Sequence, residues 1–186
     1  MSLIDTYLPV FQFRERHSLP VDAPPAALMD AVMQPEITDD PWMQRFIKLR
    51  EWPSRALGKL GGGNRLANRG AFGLGDFVLL GRDADHEIAL GAVGKFWRFD
   101  YGLVPMADAT AFSHFSNRGT PKLVLNFRIE TGADGQHRLS TETRIFCNDR
   151  LSYLRFLPYW CLIRPVSGLI RRRLLARIHH AARTLP

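Results

Sequence analysis

The sequence predicts an α+β domain: a curved antiparallel sheet wrapped around a long, kinked C-terminal helix, with two short helices after the first strand. Three observations carry this. Asp149 to Arg183 holds the longest helical pattern in the chain. From Asp76 to Cys147 the hydrophobic period is two and stays two. At 186 residues and a 46% apolar share, the chain can bury one full core and is short for two. Residues 1–186 are therefore read as a single domain.

The first strand runs from Phe11 to Val21. Phe11, Phe13, Glu15, His17, Leu19 and Val21 share one face, with Gln12, Arg14, Arg16 and Ser18 on the other. Asp22-Ala23-Pro24-Pro25 then opens a helix, with Asp22 as a cap, prolines in the first turn and Ala26 to Met33 as its body. A second helical stretch spans about Pro41 to Leu57, with Trp42, Phe46, Ile47 and Leu49 as apolar positions and Pro53 ending or kinking it. Leu60 to Gly75 is glycine-rich but lacks both the phosphate-loop and the dinucleotide fingerprints. It reads as a flexible connection or as a mobile lid near a cavity mouth.

Phe77 to Arg82 and His86 to Gly94 read as paired strands around Asp83-Ala84-Asp85, with Gly91 and Gly94 as bulge or bend sites. Lys95 to Phe99 continues or follows the second of them, and Thr110 to Ser116 reads as a shorter strand. In Pro121 to Thr131, Leu123, Leu125, Phe127 and Ile129 face in, while Lys122, Asn126, Arg128 and Glu130 face out. In His137 to Cys147, Leu139, Thr141, Thr143, Ile145 and Cys147 share one face. Arg138, Glu142 and Arg144 take the other, within reach of Arg128 and Glu130.

The last helix contains Pro158 and Pro165, each of which removes a backbone donor, so a kink or two helices end to end are expected. In its second half Ile170, Leu174, Leu175, Ile178, Ala181 and Ala182 share one arc, and Arg171 falls inside it. Its first half is apolar on nearly every side, the pattern of a helix with protein wrapped around it. A sheet gripping that helix satisfies both patterns, which is the helix-grip arrangement.

Net charge is +7 and the isoelectric point near 10.0. Arginines occur in every segment and cluster only at Arg171-Arg172-Arg173 with Arg177 and Arg183. The cluster reads as a solvated helix face, or as a surface for an acidic partner or a membrane; no nucleic-acid partner is expected. No apolar run is long enough to span a bilayer, no secretory signal is recognisable, and two cysteines form no disulfide framework. The expectation is a cytoplasmic chain with reduced thiols. The six histidines show no metal-ligand spacing, and no nucleophile elbow occurs, so neither metal nor cofactor is expected.

Several stretches, in order along nearly the whole chain, resemble the START-like (SRPBCC) superfamily. Its members include polyketide cyclases and birch-pollen-allergen-like proteins; the closest likeness is to its uncharacterised bacterial branch. The stretches are Glu15-Arg16-His17 with Val21 to Pro25, Glu87 to Trp97, Thr141 to Ile145, and Tyr159-Trp160 with Ile163-Arg164-Pro165 and Ser167 to Arg171. The loop Asn117 to Lys122 departs from the Pro-Gly turn expected there. The resemblance implies a cavity between sheet and long helix holding an apolar ligand, and no shared chemistry. Phe96, Phe127, Thr143, Tyr153, Phe156 and Trp160 would line it.

The inward polar residues Glu15, His17 and Arg171 are the remaining candidates. Buried charges need partners, so Glu15 with Arg171 is either a structural ion pair or the polar anchor of a ligand head group. The leading expectation is a non-catalytic binder of a small hydrophobic or amphipathic molecule. The alternatives are a cyclase- or dehydratase-type enzyme using His17, Glu15 or Tyr153 as acid and base, and an adaptor docking its arginine-rich helix on an acidic partner or membrane.

Overall fold

The computed structural model describes residues 1–34, 73–98, 100–133 and 135–184. In order these form α1 (Leu3–Tyr7), β1 (Phe13–Val21), α2 (Pro25–Val32), a 3-10 turn (Leu74–Asp76), β2 (Val78–Asp83) and β3 (Glu87–Val93). They continue as α3 (Ala109–His114), β4 (Lys122–Thr131), β5 (His137–Phe146) and α4 (Arg150–Thr184). The second short helix expected at Pro41 to Leu57, and the glycine-rich stretch before Gly73, lie outside the described residues.

The five strands make one open antiparallel sheet in the order β1-β5-β4-β3-β2. The first strand therefore pairs with the last, Phe13 opposite Ile145 and Val21 opposite His137. Side-chain alternation assigns the faces. The inner face carries Leu125, Phe127 and Leu139 into a core with Leu28, Met29, Leu174, Leu175 and Ile178. Nearer the start of α4, Phe13, Phe96, Ile145 and Phe156 form a second inner cluster. This α+β architecture, a sheet holding a long C-terminal helix against one face, is the one the periodicity predicts.

α4 is a single helix with Pro158 and Pro165 both inside it. Asp149 caps its start: Oδ1 accepts from Ser152 N at 2.8 Å, and Oδ2 accepts from Gly119 N at 2.6 Å. The carboxylate thus satisfies a helix donor that has no intrahelical partner and ties the α3–β4 loop to the helix. The first half of α4 is not enclosed as its apolar composition suggests. Ser152 and Phe156 are buried there, while Leu151, Leu154 and Leu162 are exposed.

The outer face of the sheet is covered too. α1 and α3 lay Ile4, Leu8 and Phe112 on Leu80, Ala89, Val93 and Val124, which is why every residue of β3 is buried. The segment read as a strand at Thr110 to Ser116 is α3, whose N-cap Asp108 accepts from Ala111 N at 2.7 Å. Gly91 marks close contact rather than a bulge: an added Cβ would lie 2.9 Å from the Phe112 ring. The register shift falls instead in β2, between Leu79 and Gly81.

Asn126, expected to face solvent, is buried under α1. Its Nδ2 donates to Glu87 Oε1 at 2.7 Å, and the Glu87 carboxylate accepts from Leu3 N at 2.9 Å and Ile4 N at 3.3 Å. Glu87 is thus an N-terminal cap for α1 supplied by another strand. The outward charges of β5 pair toward β1: Glu142 takes a bidentate Arg14 at 2.9 and 2.8 Å and also Arg144 at 2.7 Å. Glu130 pairs with Arg16, and Arg144 reaches Asp5 at 2.8 Å. Asp22 does not cap α2, whose N-cap is Pro24; it joins the end of β1 to α4 through His179 Nε2 at 2.6 Å.

Candidate functional site

β1 is an edge strand, and α4 passes along its inner side. Period-two geometry points Glu15 and His17 at the helix, and cross-strand pairing sets Thr143 beside Glu15 and Thr141 beside His17. These four residues form a polar band between the two apolar clusters of the inner face.

The band has a defined internal geometry. His17 Nε2 and Glu15 Oε1 lie 2.8 Å apart, the imidazole N–H donating to the carboxylate. Both side chains are largely enclosed, with 16% and 6% of their surface exposed. Glu15 Oε2 and Thr141 Oγ1 are buried without a hydrogen-bond partner among the described residues. Two unpartnered polar atoms in one band are costly, on the order of 1–3 kcal/mol each.

Above the band, Gly168 brings the backbone of α4 down onto the pair. A Cβ there would lie 3.1 Å from Glu15 Oε1 and 3.4 Å from His17 Nε2. One turn on, burial lowers the pKa of Arg171 to about 10, with the Glu15 carboxylate opposing the shift. Arg171 and Glu15 thus interact through their fields, while the hydrogen bond of Glu15 goes to His17.

The seam between β1 and α4 opens into a groove of ≈ 720 Å³, lined by Glu15, His17, Arg14 and Arg16 from the strand and by Arg164, Pro165, Gly168, Leu169 and Arg172 from the helix. Arg14 and Arg16 are neutralised by Glu142 and Glu130. Arg164 and Arg172 have no acidic partner among the described residues. Two arginines without an acidic partner among the described residues thus share the lining of one groove with a carboxylate–imidazole pair, a set that can accept an anion beside a group able to hold or move a proton.

Of the residues expected to form a site, Glu15 and His17 line this groove and Arg171 adjoins it. The others lie elsewhere on the inner face. Phe127 is in the core with Leu174 and Ile178, and Thr143 is buried next to Glu15. Phe96, Phe156, Tyr153 and Trp160 gather around Phe13, with ring centroids 5.2 Å from Phe13 to Tyr153 and 5.7 Å from Phe13 to Trp160. A second hollow of ≈ 530 Å³ lies beside Phe77, Ala92 and Leu103, with Gly75 at its rim.

Arg164 was missed by sequence reasoning, and Arg172 was read only as part of the basic cluster, although a signal was present. α4 carries eight arginines and no Asp or Glu; against +7 for the whole chain, the remainder sums to −1. The basic balance is therefore a property of this helix. No group of three or more His, Cys, Asp or Glu side chains that could hold a metal occurs among the described residues. A scan against protein-family models matches none, and no curated protein matches the chain significantly.

Proposed function

We propose that the protein is a non-catalytic binder of a small amphipathic molecule with an anionic head group, in the manner of START-like (SRPBCC) domains. The observation that carries the reading is that Arg164 and Arg172, uncompensated among the described residues, line the same ≈ 720 Å³ groove as the Glu15–His17 pair. The guanidiniums offer fixed, planar donors suited to carboxylate or phosphate oxygens. Glu15 and His17 suit a hydroxyl or amide beside that charge, and Pro165 and Leu169 offer apolar contact for the rest of the ligand. The helix-grip-like architecture is compatible with such a role, and the order of the superfamily-like stretches along the chain supports it.

The test is native mass spectrometry of the freshly purified protein, followed by denaturing extraction. The expected result is a co-purifying small acid that is lost from an Arg164→Gln/Arg172→Gln variant. A ligand retained by that variant would place binding elsewhere.

A second reading, an enzyme, is favoured by the same 2.8 Å carboxylate–imidazole bond, which is a general acid–base arrangement facing the groove. Tyr153, stacked on Phe13, does not line that groove. Conversion of the extracted ligand on prolonged incubation, abolished by His17→Asn, would select this reading over the carrier.

A further inference from the structure

We infer that the exposed face of the first half of α4 seats the protein on an anionic lipid bilayer, lying in the plane of the surface. The inference does not depend on the groove reading, because it rests on the side of the helix turned away from the sheet.

Leu151, Leu154 and Leu162 are 56%, 52% and 78% exposed. At about 100° per residue they fall within an arc of about 80°, and at 1.5 Å per residue the stripe runs about 17 Å along the helix. Exposed Cys161 lies at one margin of the same arc. Arg150 and Arg155, both exposed, sit at about 100° behind and 40° ahead of Leu151, one on each flank. A leucine face edged by arginines is the pattern of an interfacial helix, in which aliphatic side chains enter the headgroup boundary and guanidiniums meet lipid phosphates.

Charge selects this occupant among those that could cover an apolar face. The two arginines beside the leucines, Arg150 and Arg155, are exposed, and α4 carries no acidic residue. A two-fold dimer through this face would set one such helix against another with no carboxylate on either to neutralise it. Nucleic acid would satisfy the arginines and leave a row of leucines against a polar surface. An anionic bilayer satisfies both sets at once. The helix lies on the membrane and does not cross it: no helix among the described residues is long and apolar enough to span.

The test uses the full chain with vesicles of phosphatidylcholine alone and of phosphatidylcholine with an equal part of phosphatidylglycerol. The protein should co-sediment with the mixed vesicles and not with the neutral ones. Binding should weaken between 0.1 M and 1 M salt, as the screening length falls from about 10 Å to about 3 Å. Leu154→Gln/Leu162→Gln, both at exposed positions, should keep the wild-type melting temperature and partition about tenfold more weakly. A polarity-sensitive dye on Cys161 should shift to the blue with the mixed vesicles. The inference is overturned if the mixed vesicles are not bound, if the leucine variant binds them as well as wild type, or if the dye is unmoved. Self-association that is lost in the leucine variant, with vesicles ignored, would assign the face to a second copy and overturn it equally.

Discussion

Gly168 sets the backbone of α4 directly on the Glu15 carboxylate, with room for a Cβ only at 3.1 Å from Oε1. Helix and edge strand therefore meet through a residue without a side chain, and the groove owes its floor to that contact. In a helix interior, Gly→Ala is worth about 1 kcal/mol of added helix stability. Here it presses on Glu15 and His17 by a few tenths of an ångström, and His17, at the groove surface, can yield. The Gly168→Ala variant is expected to hold or raise its melting temperature while the His17 imidazole resonances move and ligand affinity falls. Unchanged imidazole resonances would show that helix and strand do not meet there.

Glu87 links three elements, accepting from Asn126 and from the first two N–H groups of α1. Glu87→Ala leaves those buried donors unpaired and should cost about 3 kcal/mol in chemical denaturation. Amide exchange at Leu3 and Ile4 should rise with it. Protection retained at those two amides would mean that α1 is held by Ile4 and Leu8 packing alone.

The strands were legible from alternation because their inner residues face one apolar core. Phe127 and Leu139 alternate with polar neighbours, and the register follows. The outer face was harder to read, because its cover comes from two helices of five and six residues, too short to show a period. Asn126 and Glu142 therefore look like solvent-facing positions when one is a buried bridge and the other a buried ion-pair centre. Thr110 to Ser116 alternates over its few residues like a strand, and only the Asp108 cap betrays the helix. Glu15 and His17 were legible from phase. The place of Arg164 and Arg172 in a groove was not, because a groove at a sheet edge requires knowing which strand is the edge.

Acid should weaken the protein through Glu142, Asp5 and Asp149. Burial raises the pKa of Glu142, and hydrogen bonds from Arg14 and Arg144 more than offset it, holding the carboxyl below its ordinary 4.5. Hydrogen bonds from Ser2 and Arg144 lower Asp5, and those from Ser152 and Gly119 lower Asp149, each from 3.8. A depressed folded pKa contributes stability above the unfolded value that disappears as pH falls through the folded one. Urea midpoints should thus be flat near neutrality and drop below about pH 4.5. Glu142→Gln should cost about 2 kcal/mol at pH 7 and flatten the acid limb. An unaltered limb would show that these carboxylates are not its source.

The two thiols should react apart. Cys161 is exposed; Cys147 is buried, and burial pushes its thiol up to about 12. A thiol reagent at pH 8 should titrate one equivalent in the native protein and two in denaturant, with the fast one lost in Cys161→Ser. Two fast equivalents in the native state would contradict the burial of Cys147.

Among the described residues β1 has one neighbour in the sheet, β5, and that neighbour is the last strand in the sequence. Glu15 stands opposite Thr143, and Gly168 closes over it from later still. A ribosome-bound chain that has emerged only as far as β4 cannot assemble this groove, however well its β2–β3 hairpin has formed. Loop closure over more than a hundred residues must precede any binding there. Premature termination anywhere before α4 would yield fragments that retain local structure and lack the site altogether.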